Sequence, residues 1–458
     1  MKIKKICCIG AGYVGGPTMA VIALKCPDID ITLVDINKDK IDAWNGPIKN
    51  LPVYEPGLGE IVKKTRNKNL FFSTDIKNEI ESAQMIFMAV NTPTKTEGEG
   101  AGMAADLKYF IDSAKTIAES SKTDKIIIEK STLPVRTAEK VKEVLFKYNQ
   151  NNVHFEILSN PEFLAEGTAI QDLFKSDRVL IGGDNTKEGK EAVKALKKIY
   201  LRWIPKNKIL TTNVWSSELA KLASNAMLAQ RISSINSLSA LCEKTGADIQ
   251  ELSKAIGMDK RIGSKFLNAS VGFGGSCFQK DILNLVYLCR YYGLHEVAEF
   301  WHQVVKINNY QKDRFANKII HHYNTTNSNL KIALLGWSFK KDTNDSRESA
   351  SIYIANKLIQ NNISINIYDP MVDSETIIKD LKLISKNNFE ASKISIFKSI
   401  EESLLDVNSV VILTEWDEFR KFEWKKIKKR IKIFDGRLLI DKKNLSSHEY
   451  YCIGKSIL

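Results

Sequence analysis

A glycine-rich turn after a short apolar segment places the strongest constraint on how this chain folds. The segment Ile3–Ile9 is predicted to be a buried strand, and the turn Gly10-Ala-Gly12-Tyr-Val-Gly15 opens a helix after it. A second apolar strand, from Ile31, ends at Asp35, 20 positions beyond Gly15. The order of strand, glycine turn, helix, strand and acid is typical of a dinucleotide-binding unit on a parallel sheet.

Each residue of this motif has a physical role in such a unit. Gly10 would make the tight turn, Gly12 would let the backbone approach a pyrophosphate, and Gly15 would let the helix pack closely. The helix N-terminus would face the phosphate charge. Asp35 would bond the ribose hydroxyls and repel a 2′-phosphate, so the sequence predicts NAD rather than NADP as the cofactor. A glycine-rich turn that holds no ligand is the alternative.

More apolar strands follow this motif along the chain. They are predicted at Met85–Val90, Ile126–Lys130 and Phe155–Ser159, with amphipathic stretches between them. Strands that alternate with helices indicate a parallel, doubly wound α/β sheet. Polar and proline residues follow the strands in the loops Asn91–Thr94, Ser131–Pro134 and Asn160–Phe163. Because ligands bind at the carboxyl ends of such strands, these are candidate site loops.

The pattern changes near residue 211. A long helix is predicted from Ser216 to Thr245, and a second helical region covers 281–322. After the turn-rich segment 324–329, strands are predicted again at Lys331–Gly336, Ile363–Tyr368 and Ser409–Thr414. We therefore expect an α/β fold with two Rossmann-like doubly wound domains, joined by a long central helix and a helical middle region. The expected domains are 1–210, 211–325 and 326–458.

The composition is ordinary for a globular protein, with 43% apolar and 26% charged residues. The formal net charge is +13. A nucleic-acid surface is one interpretation, but the lysines are spread along the whole chain, which favours a general bias and suits a phosphate-bearing substrate. No apolar run is long enough to cross a membrane. The sequence therefore predicts neither a nucleic-acid nor a membrane partner, and a cytoplasmic location.

The cysteines indicate reduced thiols. There are seven of them, an odd number without a disulfide framework, which is typical of an intracellular protein. They form no paired CxxC motifs, and no histidine cluster has the spacing of metal ligands. The sequence therefore predicts no metal site.

Cys277 is the candidate nucleophile. It follows the flexible run Gly272-Phe-Gly-Gly-Ser276 and precedes a predicted helix, whose N-terminus would favour a thiolate. A single cysteine is more often a small buried residue, but Asp281 lies one helical turn later as a possible base. Lys221 and Asn225 are four positions apart on the long helix and share a face. They are either oxyanion donors or part of a solvated helix surface.

Several ordered motifs resemble one known enzyme family. They are Gly10–Gly15, Tyr54–Leu58, Val90–Thr94, Lys130–Pro134, Asn160–Gly167, Ser217–Lys221, Arg231–Asn236, Gly272–Asp281, Gly336–Lys340 and Asp345–Glu348. On these motifs, which run through nearly the whole chain, the sequence resembles the UDP-glucose/GDP-mannose dehydrogenases. Within the family it is most similar to the animal-like members that oxidise UDP-glucose.

The resemblance implies a four-electron oxidation of UDP-glucose to UDP-glucuronate with two NAD. Cys277 would hold the intermediate aldehyde as a thiohemiacetal and then as a thioester. Asp281, with a bound water, and Thr132 are implied in proton removal. Glu162 is implied in activating the water that hydrolyses the thioester, and Lys221 and Asn225 in stabilising oxyanions.

The resemblance also implies the binding residues. For NAD they are Gly10, Gly12, Tyr13, Val14, Gly15, Asp35, Lys40, Ser131, Thr132 and Glu166. For the substrate they are Glu162, Phe163, Leu164, Lys221, Asn225, Phe266, Gly274, Phe339, Lys340 and Arg437, with the third domain binding the UDP-sugar. Arg261 would reach the site of a neighbouring subunit, so a homo-oligomer is implied, with a hexamer favoured and a dimer possible. Animal-type members have Arg where this chain has Lys40, and a lysine lacks the planar fork of a guanidinium.

Three alternatives remain at this point. The chain could act on GDP-mannose or a UDP-N-acetyl-hexosamine, because the Phe-Gly-Gly-Ser-Cys run is shared by several of these enzymes. It could be an inactive nucleotide-sugar binder, which would require a missing nucleophile or base, and neither is missing here. A nucleic-acid-binding protein rests on charge alone and predicts a steeply salt-dependent affinity.

Overall fold

The computed structural model describes residues 2–323, 330–445 and 448–456. The predicted turn-rich segment 324–329 lies outside these residues. The chain divides into two compact units, Met1–Ser224 and Asn225–Leu458. Each unit is described by itself below.

The first unit contains a mixed sheet with a doubly wound strand order. Its strands are β1 (Lys5–Ile9), β2 (Asp30–Val34), β3 (Leu70–Ser73), β4 (Met85–Met88), β5 (Lys125–Glu129), β6 (Phe155–Ser159), β7 (Val179–Gly182) and β8 (Ile209–Thr212). The order across the sheet is β3-β2-β1-β4-β5-β6-β7-β8. Every pairing is parallel except that of β6 with β7. The expected parallel sheet is therefore confirmed from β3 to β6, and β7 and β8 form an edge that runs the other way.

Helices cover both faces of this sheet. They are α1 (Gly15–Lys25), α2 (Lys38–Asn45), α3 (Leu58–Thr65), α4 (Ile76–Ser82), α5 (Lys108–Ser120), α6 (Thr137–Tyr148), α7 (Ala169–Phe174) and α8 (Lys187–Tyr200). Successive side chains of a strand point to opposite faces. Accordingly, Ile6 and Cys8 of β1 pack in one apolar cluster, and Cys7 and Ile9 pack in another. The buried strands are therefore apolar throughout, as is typical of a sheet covered on both faces.

The long helix α9 spans Val214–Thr245, which confirms the predicted helix from Ser216 to Thr245. The boundary between the two units falls within it, after Ser224. Helix α9 has Gly246 directly after it, with a φ of 82°. Glycine adopts this left-handed conformation without strain, which explains the end of the helix.

The helical part of the second unit contains α10 (Ile249–Gly257), α11 (Phe278–Tyr291) and α12 (His295–His321). The sequence predicted one helical region over 281–322, and the structure has two helices there. The break falls at Gly293, whose φ of 73° is left-handed and reverses the chain. Helix α11 begins immediately after Cys277.

The second unit also contains a parallel sheet. Its strands are β9 (Lys331–Leu335), β10 (Ser364–Tyr368), β11 (Ile394–Ile396), β12 (Ser409–Ile412), β13 (Lys432–Asp435) and β14 (Glu449–Cys452). Their order is β11-β10-β9-β12-β13-β14, and all pairings are parallel. The accompanying helices are α13 (Ala350–Gln360), α14 (Ser374–Ser385), α15 (Ile400–Ser403) and α16 (Asp417–Lys421). The prediction of two Rossmann-like sheets with helical segments between them is confirmed.

No helix among residues 2–323, 330–445 and 448–456 is long and apolar enough to cross a membrane. Within the same residues, no group of histidine, cysteine and acidic side chains has the arrangement needed to hold a metal ion.

Candidate active site

The glycine turn of the first unit lies at the carboxyl end of β1, where the strand order of the sheet reverses between β1 and β4. Gly10 has a φ of 107°, and a Cβ atom on it would lie 2.5 Å from the carbonyl oxygen of Ala89. A Cβ atom on Gly15 would lie 2.0 Å from the carbonyl oxygen of Gly10. Both positions therefore require glycine, and Gly15 lets helix α1 start directly against the turn.

Gly12 differs from the other two glycines, because a Cβ atom built on it meets no atom within 4 Å. The open space adjoins the N-terminus of α1, where backbone N–H groups bind phosphate. A pyrophosphate therefore fits beside Gly12, and a side chain there would intrude on it. Tyr13 and Val14 complete the turn and are half-buried, with Tyr13 packed against the core.

Asp35 stands just after β2 and faces the glycine turn. One carboxylate oxygen accepts hydrogen bonds from the backbone N–H of Ala11 at 3.1 Å and from the Nζ atom of Lys40 at 2.8 Å. The other accepts from the backbone N–H of Asn37. Burial raises the pKa of Asp35, but these bonds outweigh it and the pKa lies below its ordinary value. Asp35 is therefore an ionised acceptor beside the glycine turn, suited to ribose hydroxyls.

The loop after β5 is joined to the loop after β4. The hydroxyl of Ser131 donates to the carbonyl oxygen of Val90 at 2.6 Å. The hydroxyl of Thr92 donates to the carbonyl oxygen of Thr132 at 3.0 Å. Ser131 and Thr132 are half-buried, so the predicted cofactor loop has a fixed shape and keeps a face open to solvent.

Glu162 and Lys221 form a buried ion pair in the first unit. The Nζ atom of Lys221 lies 3.0 Å from Glu162, and their side chains are 5% and 9% exposed respectively. The backbone N–H of Leu164 donates to the second Glu162 oxygen. Burial raises the pKa of Glu162, but Lys221 lowers it more strongly and keeps the carboxylate ionised. Phe163 lies beside Lys221, and Glu166 is half-buried further along the segment.

Lys130 is a second buried cation near this pair. Its Nζ atom donates to the side-chain oxygen of Asn160 at 3.1 Å, and the hydroxyl of Tyr200 donates to the same oxygen at 2.7 Å. Burial lowers the pKa of Lys130 to about 8, against the opposing charge of Glu162. Sequence reasoning did not single out Lys130, although the quoted Lys130–Pro134 motif begins with it.

Cys277 occupies the N-cap position of α11 in the second unit. It is half-buried, whereas the other six cysteines are buried. The hydroxyl of Ser276 lies 3.5 Å from its Sγ atom. The thiol therefore stands at a helix N-terminus, where the helix dipole favours a thiolate, and it is accessible to a small reactant.

The loop that presents Cys277 is fixed by a neighbouring segment of the same unit. A Cβ atom on Gly274 would lie 2.5 Å from the carbonyl oxygen of Glu348 and 2.9 Å from the Cβ atom of Phe339. The backbone N–H of Gly275 donates to the carbonyl oxygen of Arg347 at 2.8 Å. The glycines therefore allow close contact between two chain segments.

Asp281 is fully buried and held by two donors. The side-chain amide of Asn225 donates to one oxygen at 2.6 Å, and the Nζ atom of Lys280 donates to the other at 2.8 Å. Asp281 lies one turn after Cys277 on α11, as the sequence predicted. Lys280 was not among the predicted residues, because a lysine at the start of a helix gives no sign of pairing with the next residue.

Lys221 and Asn225 each contact a carboxylate in the structure. Lys221 pairs with Glu162 within the first unit, and Asn225 with Asp281 within the second. The sequence had presented the two side chains as a pair on one helix face. Neither is part of a solvated surface, because both residues are buried.

The remaining predicted substrate residues of the second unit fall into two groups. Arg437 donates to the carbonyl oxygens of Phe339 at 3.0 Å and Leu413 at 2.7 Å, so it joins the loops after β9 and β12. Lys340 lies beside Phe339. Phe266 is 39% exposed, and the side chain of Arg261 is 90% exposed and pairs with Asp259. The last two residues are therefore not joined to the others by a contact that we observe.

The second unit has its own glycine turn after β9. Gly336 has a φ of 99°, and a Cβ atom there would lie 2.4 Å from that of Thr414. The next two backbone N–H groups, of Trp337 and Ser338, both donate to a carboxylate oxygen of Asp369, at 2.6 and 3.0 Å. Asp369 follows β10, just as Asp35 follows β2. Here the turn is not followed by a helix until Ala350.

Comparison with known proteins covers almost the whole chain. Residues 4–204 match the NAD binding domain of the UDP-glucose/GDP-mannose dehydrogenase family, residues 215–310 its central domain and residues 333–448 its UDP binding domain. A rice protein named UDP-glucose 6-dehydrogenase 4 is 54% identical over 470 residues, which cover 99% of this chain and 97% of the relative. The chain belongs to the UDP-glucose/GDP-mannose dehydrogenase family. It is an NAD-dependent oxidoreductase, and its glycine turn lies in the NAD binding domain of the family.

Other relatives and solved structures agree with this membership. UDP-glucose 6-dehydrogenase 4 of Arabidopsis thaliana is also 54% identical, over 99% of this chain and 97% of its own. A UDP-glucose dehydrogenase structure from Pyrobaculum islandicum has a TM-score of 0.85 at 27% identity, with 98% of this chain and 97% of that chain covered. A Pyrococcus horikoshii structure described as a UDP-D-ManNAc dehydrogenase, with a TM-score of 0.81 at 23% identity over 99% and 100% of the two chains, shows the same fold.

Proposed function

We propose that this chain oxidises the C6 alcohol of UDP-glucose to the carboxylate of UDP-glucuronate and reduces two NAD for each sugar. The observation that carries the proposal is the 54% identity, over 99% of the chain, to the rice protein named UDP-glucose 6-dehydrogenase 4. The match of residues 333–448 to a UDP binding domain supports a uridine nucleotide as the carrier of the sugar. NAD, when bound, supplies the hydride acceptor for both oxidations.

In the first oxidation, the C6 hydroxyl loses its proton as a hydride leaves C6, and an aldehyde results. Asp281, through a bound water, and Thr132 take part in removing the proton. The two donors on Asp281 support this role, because Asn225 and Lys280 fix its carboxylate in one orientation. A fixed base within reach of the reacting proton is what general base catalysis requires.

In the second oxidation, the Sγ atom of Cys277 adds to the aldehyde carbon and forms a carbon–sulfur bond. The carbonyl electron pair moves to oxygen, and this oxyanion is stabilised by Lys221 and Asn225. Loss of a hydride from the same carbon then converts the thiohemiacetal into a thioester. The position of Cys277 at the N-terminus of α11 supports this role, because the helix dipole favours the attacking thiolate.

Hydrolysis completes the reaction. Glu162 accepts a proton from a water molecule that attacks the thioester carbon, the carbon–sulfur bond breaks, and the thiolate of Cys277 leaves. The lowered pKa of Glu162 supports its part, because the ion pair with Lys221 keeps the carboxylate unprotonated and able to accept a proton. The products are the sugar carboxylate and the free enzyme.

The binding roles complete the proposal. Residues 1–210 bind NAD, 211–325 carry Cys277, and 326–458 bind the UDP-sugar. The open space at Gly12 and the ionised Asp35 support the NAD site, to which Gly10, Tyr13, Val14, Gly15, Lys40, Ser131, Thr132 and Glu166 also contribute. The substrate contacts are Glu162, Phe163, Leu164, Lys221, Asn225, Phe266, Gly274, Phe339, Lys340 and Arg437.

The chain works as a homo-oligomer in this proposal, and a hexamer is favoured over a dimer. Arg261 reaches the substrate site of a neighbouring subunit. Its 90% exposed side chain supports this role, because Asp259 is its printed-sequence neighbour and only partner among the contacts described above. Light scattering of the full chain tests the assembly. Mixing Arg261→Ala chains with Cys277→Ala chains tests the shared site, because such mixtures regain activity only if subunits complement each other.

The deciding experiment is a steady-state assay of the purified full chain with NAD. UDP-glucose, GDP-mannose and UDP-N-acetylglucosamine are compared at equal concentration, and NADH is counted for each sugar consumed. We expect two NADH per UDP-glucose and little turnover of the other two. Turnover of only another sugar nucleotide would overturn the substrate, and one NADH per sugar would overturn the four-electron reaction.

A further inference from the structure

Two buried glutamates of the first unit face each other away from the proposed reacting groups. Glu129 is the last residue of β5 and is 1% exposed, and Glu218 lies on α9 and is 2% exposed. A hydrogen bond joins their side chains. If both carboxyls were ionised, neither oxygen of Glu129 would have a donor among the described residues. Two carboxyl groups can form a hydrogen bond only when one of them carries a proton.

The contacts of the two residues indicate which one carries the proton. The carboxylate of Glu218 accepts hydrogen bonds from the backbone N–H groups of Arg136 at 2.6 Å and Ala138 at 2.8 Å. These groups lie at the N-terminus of α6, where a negative charge is favoured. Glu129 has no such donors. The proton therefore resides on Glu129, whose O–H donates to the Glu218 carboxylate.

Charged groups on the surrounding elements fit this assignment. From α6, Lys142 faces Glu129 and favours its ionised form, whereas Glu139 faces Glu218 and disfavours its charge. The strands on either side of β5 present the uncharged Met88 and Ser159 next to Glu129. Burial and the neighbouring carboxylate are the largest influences, and together they raise the pKa of Glu129 well above its ordinary value.

The pair joins two segments that carry residues of the proposed site. Glu129 immediately precedes Lys130, Ser131 and Thr132, and the loop continues to Arg136, whose backbone N–H is bonded to Glu218. Glu218 lies one helical turn before Lys221 on α9. The pair therefore fixes both ends of the loop 130–136 to the turn of α9 that presents Lys221.

We infer that Glu129 and Glu218 are positioning residues that share one proton, and that this shared proton holds the loop 130–136 against helix α9. The inference rests on the proposed function only for the claim that the loop serves the oxidation. Loss of the proton places two buried carboxylates side by side and loosens the loop. Neither glutamate takes part in proton transfer to the substrate.

The test uses the variants Glu129→Gln and Glu129→Met of the full chain. Glutamine has the shape of protonated glutamic acid and can donate an N–H to Glu218, so we expect kcat within about twofold of the parent chain. Methionine fills the space but donates nothing. We expect it to lower kcat between about 10- and 100-fold through a displaced loop. Equal losses in both variants would overturn the inference.

A second measurement does not depend on the substrate. Because the pKa of Glu129 is raised in the folded chain, the folded state holds a proton that the unfolded state releases above its ordinary pKa of 4.5. Stability from this group therefore falls as the pH rises from that value to the folded pKa. Glu129→Gln has no proton to lose, so the melting temperature should fall less over this range than in the parent chain.

The matched control is Glu143→Gln, which removes the same charge from an exposed position of α6. It should keep the pH profile of the parent chain. Parallel melting profiles of Glu129→Gln and the parent chain would overturn the shared proton even if the chain oxidises UDP-glucose. Divergent melting profiles in a chain without that activity would instead leave the pair standing and count against the proposed function.

Discussion

The Nζ atom of Lys221 lies 3.0 Å from a carboxylate oxygen of Glu162, and both side chains are more than nine-tenths buried. The two residues come from an α9 turn and from the loop after β6. Removing one member of a buried pair leaves the other charge without compensation, which usually costs about 3–5 kcal/mol. Their contact therefore contributes to the fold as well as to the proposed chemistry.

Lys221→Met should lower the free energy of unfolding by about 3–5 kcal/mol, because it leaves the Glu162 carboxylate buried and unpaired. Urea unfolding of the full chain measures this change. Lys38→Met is the control, since Lys38 pairs with Asp42 on an exposed helix surface and should have no measurable effect. Equal stability of both variants would contradict the role of the buried pair. The double variant Lys221→Met with Glu162→Gln should recover part of the loss.

The same pair predicts a loss of stability in acid. Lys221 holds the pKa of Glu162 below its ordinary value of 4.5 despite burial. The stabilisation is therefore present above that pH, and it is lost as the pH falls through the lower pKa of the folded chain. Glu162→Gln should flatten the difference in melting temperature between neutral and acid pH. An unchanged acid profile in this variant would show that Glu162 is not the group that titrates.

Cys277→Ser should abolish turnover to the sugar acid and leave NAD binding intact, because the serine hydroxyl is a far weaker nucleophile than a thiolate. The expected loss in kcat is at least about 10³-fold, within the range measured for removal of catalytic nucleophiles. NAD affinity is measured by fluorescence titration and turnover by NADH production. Cys289→Ser is the control on the same helix, where the buried thiol has no proposed chemical role. Full turnover of Cys277→Ser would refute the thioester step.

Asp281→Asn should lower kcat by about 10²- to 10⁴-fold, the usual contribution of a general base. Asparagine also places an amide group beside Asn225 and Lys280, so some loss of stability is expected. Lys280→Met separates the two effects, because it removes one donor to Asp281 and keeps the carboxylate. We expect a smaller loss of kcat for Lys280→Met, with a melting temperature close to that of Asp281→Asn. A larger loss for Lys280→Met would contradict the role of Asp281 as the base.

Gly12→Ala and Gly15→Ala should have opposite effects on stability. A Cβ atom on Gly12 meets no protein atom within 4 Å, whereas one on Gly15 would lie 2.0 Å from a carbonyl oxygen. Gly12→Ala should therefore fold normally and crowd the pyrophosphate. Overpacking costs about 1–3 kcal/mol, which is about a 10- to 100-fold rise in the Kd for NAD. Gly15→Ala should lower the melting temperature with or without NAD. Calorimetry and NAD titration of both variants make the comparison.

The first sheet was predictable because its central strands are buried on both faces. Buried strands are continuous apolar runs, and β1, β4, β5 and β6 all appear as such runs in the sequence. The strand β8 was missed because three of its four residues are exposed and polar or isolated in pattern. The break at Gly293 was missed because both helices around it have helical spacing, and only the left-handed φ of Gly293 separates them.

The proposed site was partly predictable for a similar reason. Cys277 and Asp281 are four positions apart, so a helix must place them one turn apart. The partners Lys280 and Asn225 of Asp281 come from different helices, and no spacing rule connects Asn225 with position 281. Glu129 appeared to be the solvated end of a strand. Its burial follows from tertiary packing against α9, which a single sequence does not encode in any local pattern.

Asp369 distinguishes the second Rossmann-like sheet from the first. Its carboxylate already accepts hydrogen bonds from the backbone N–H groups of Trp337 and Ser338, the groups that follow the glycine turn. An anion that is part of the chain therefore occupies the place where a pyrophosphate would lie, and no helix N-terminus adjoins it. The duplicated architecture does not duplicate the cofactor site. A non-hydrolysable dinucleotide analogue should accordingly saturate the protein at a stoichiometry of one molecule per chain.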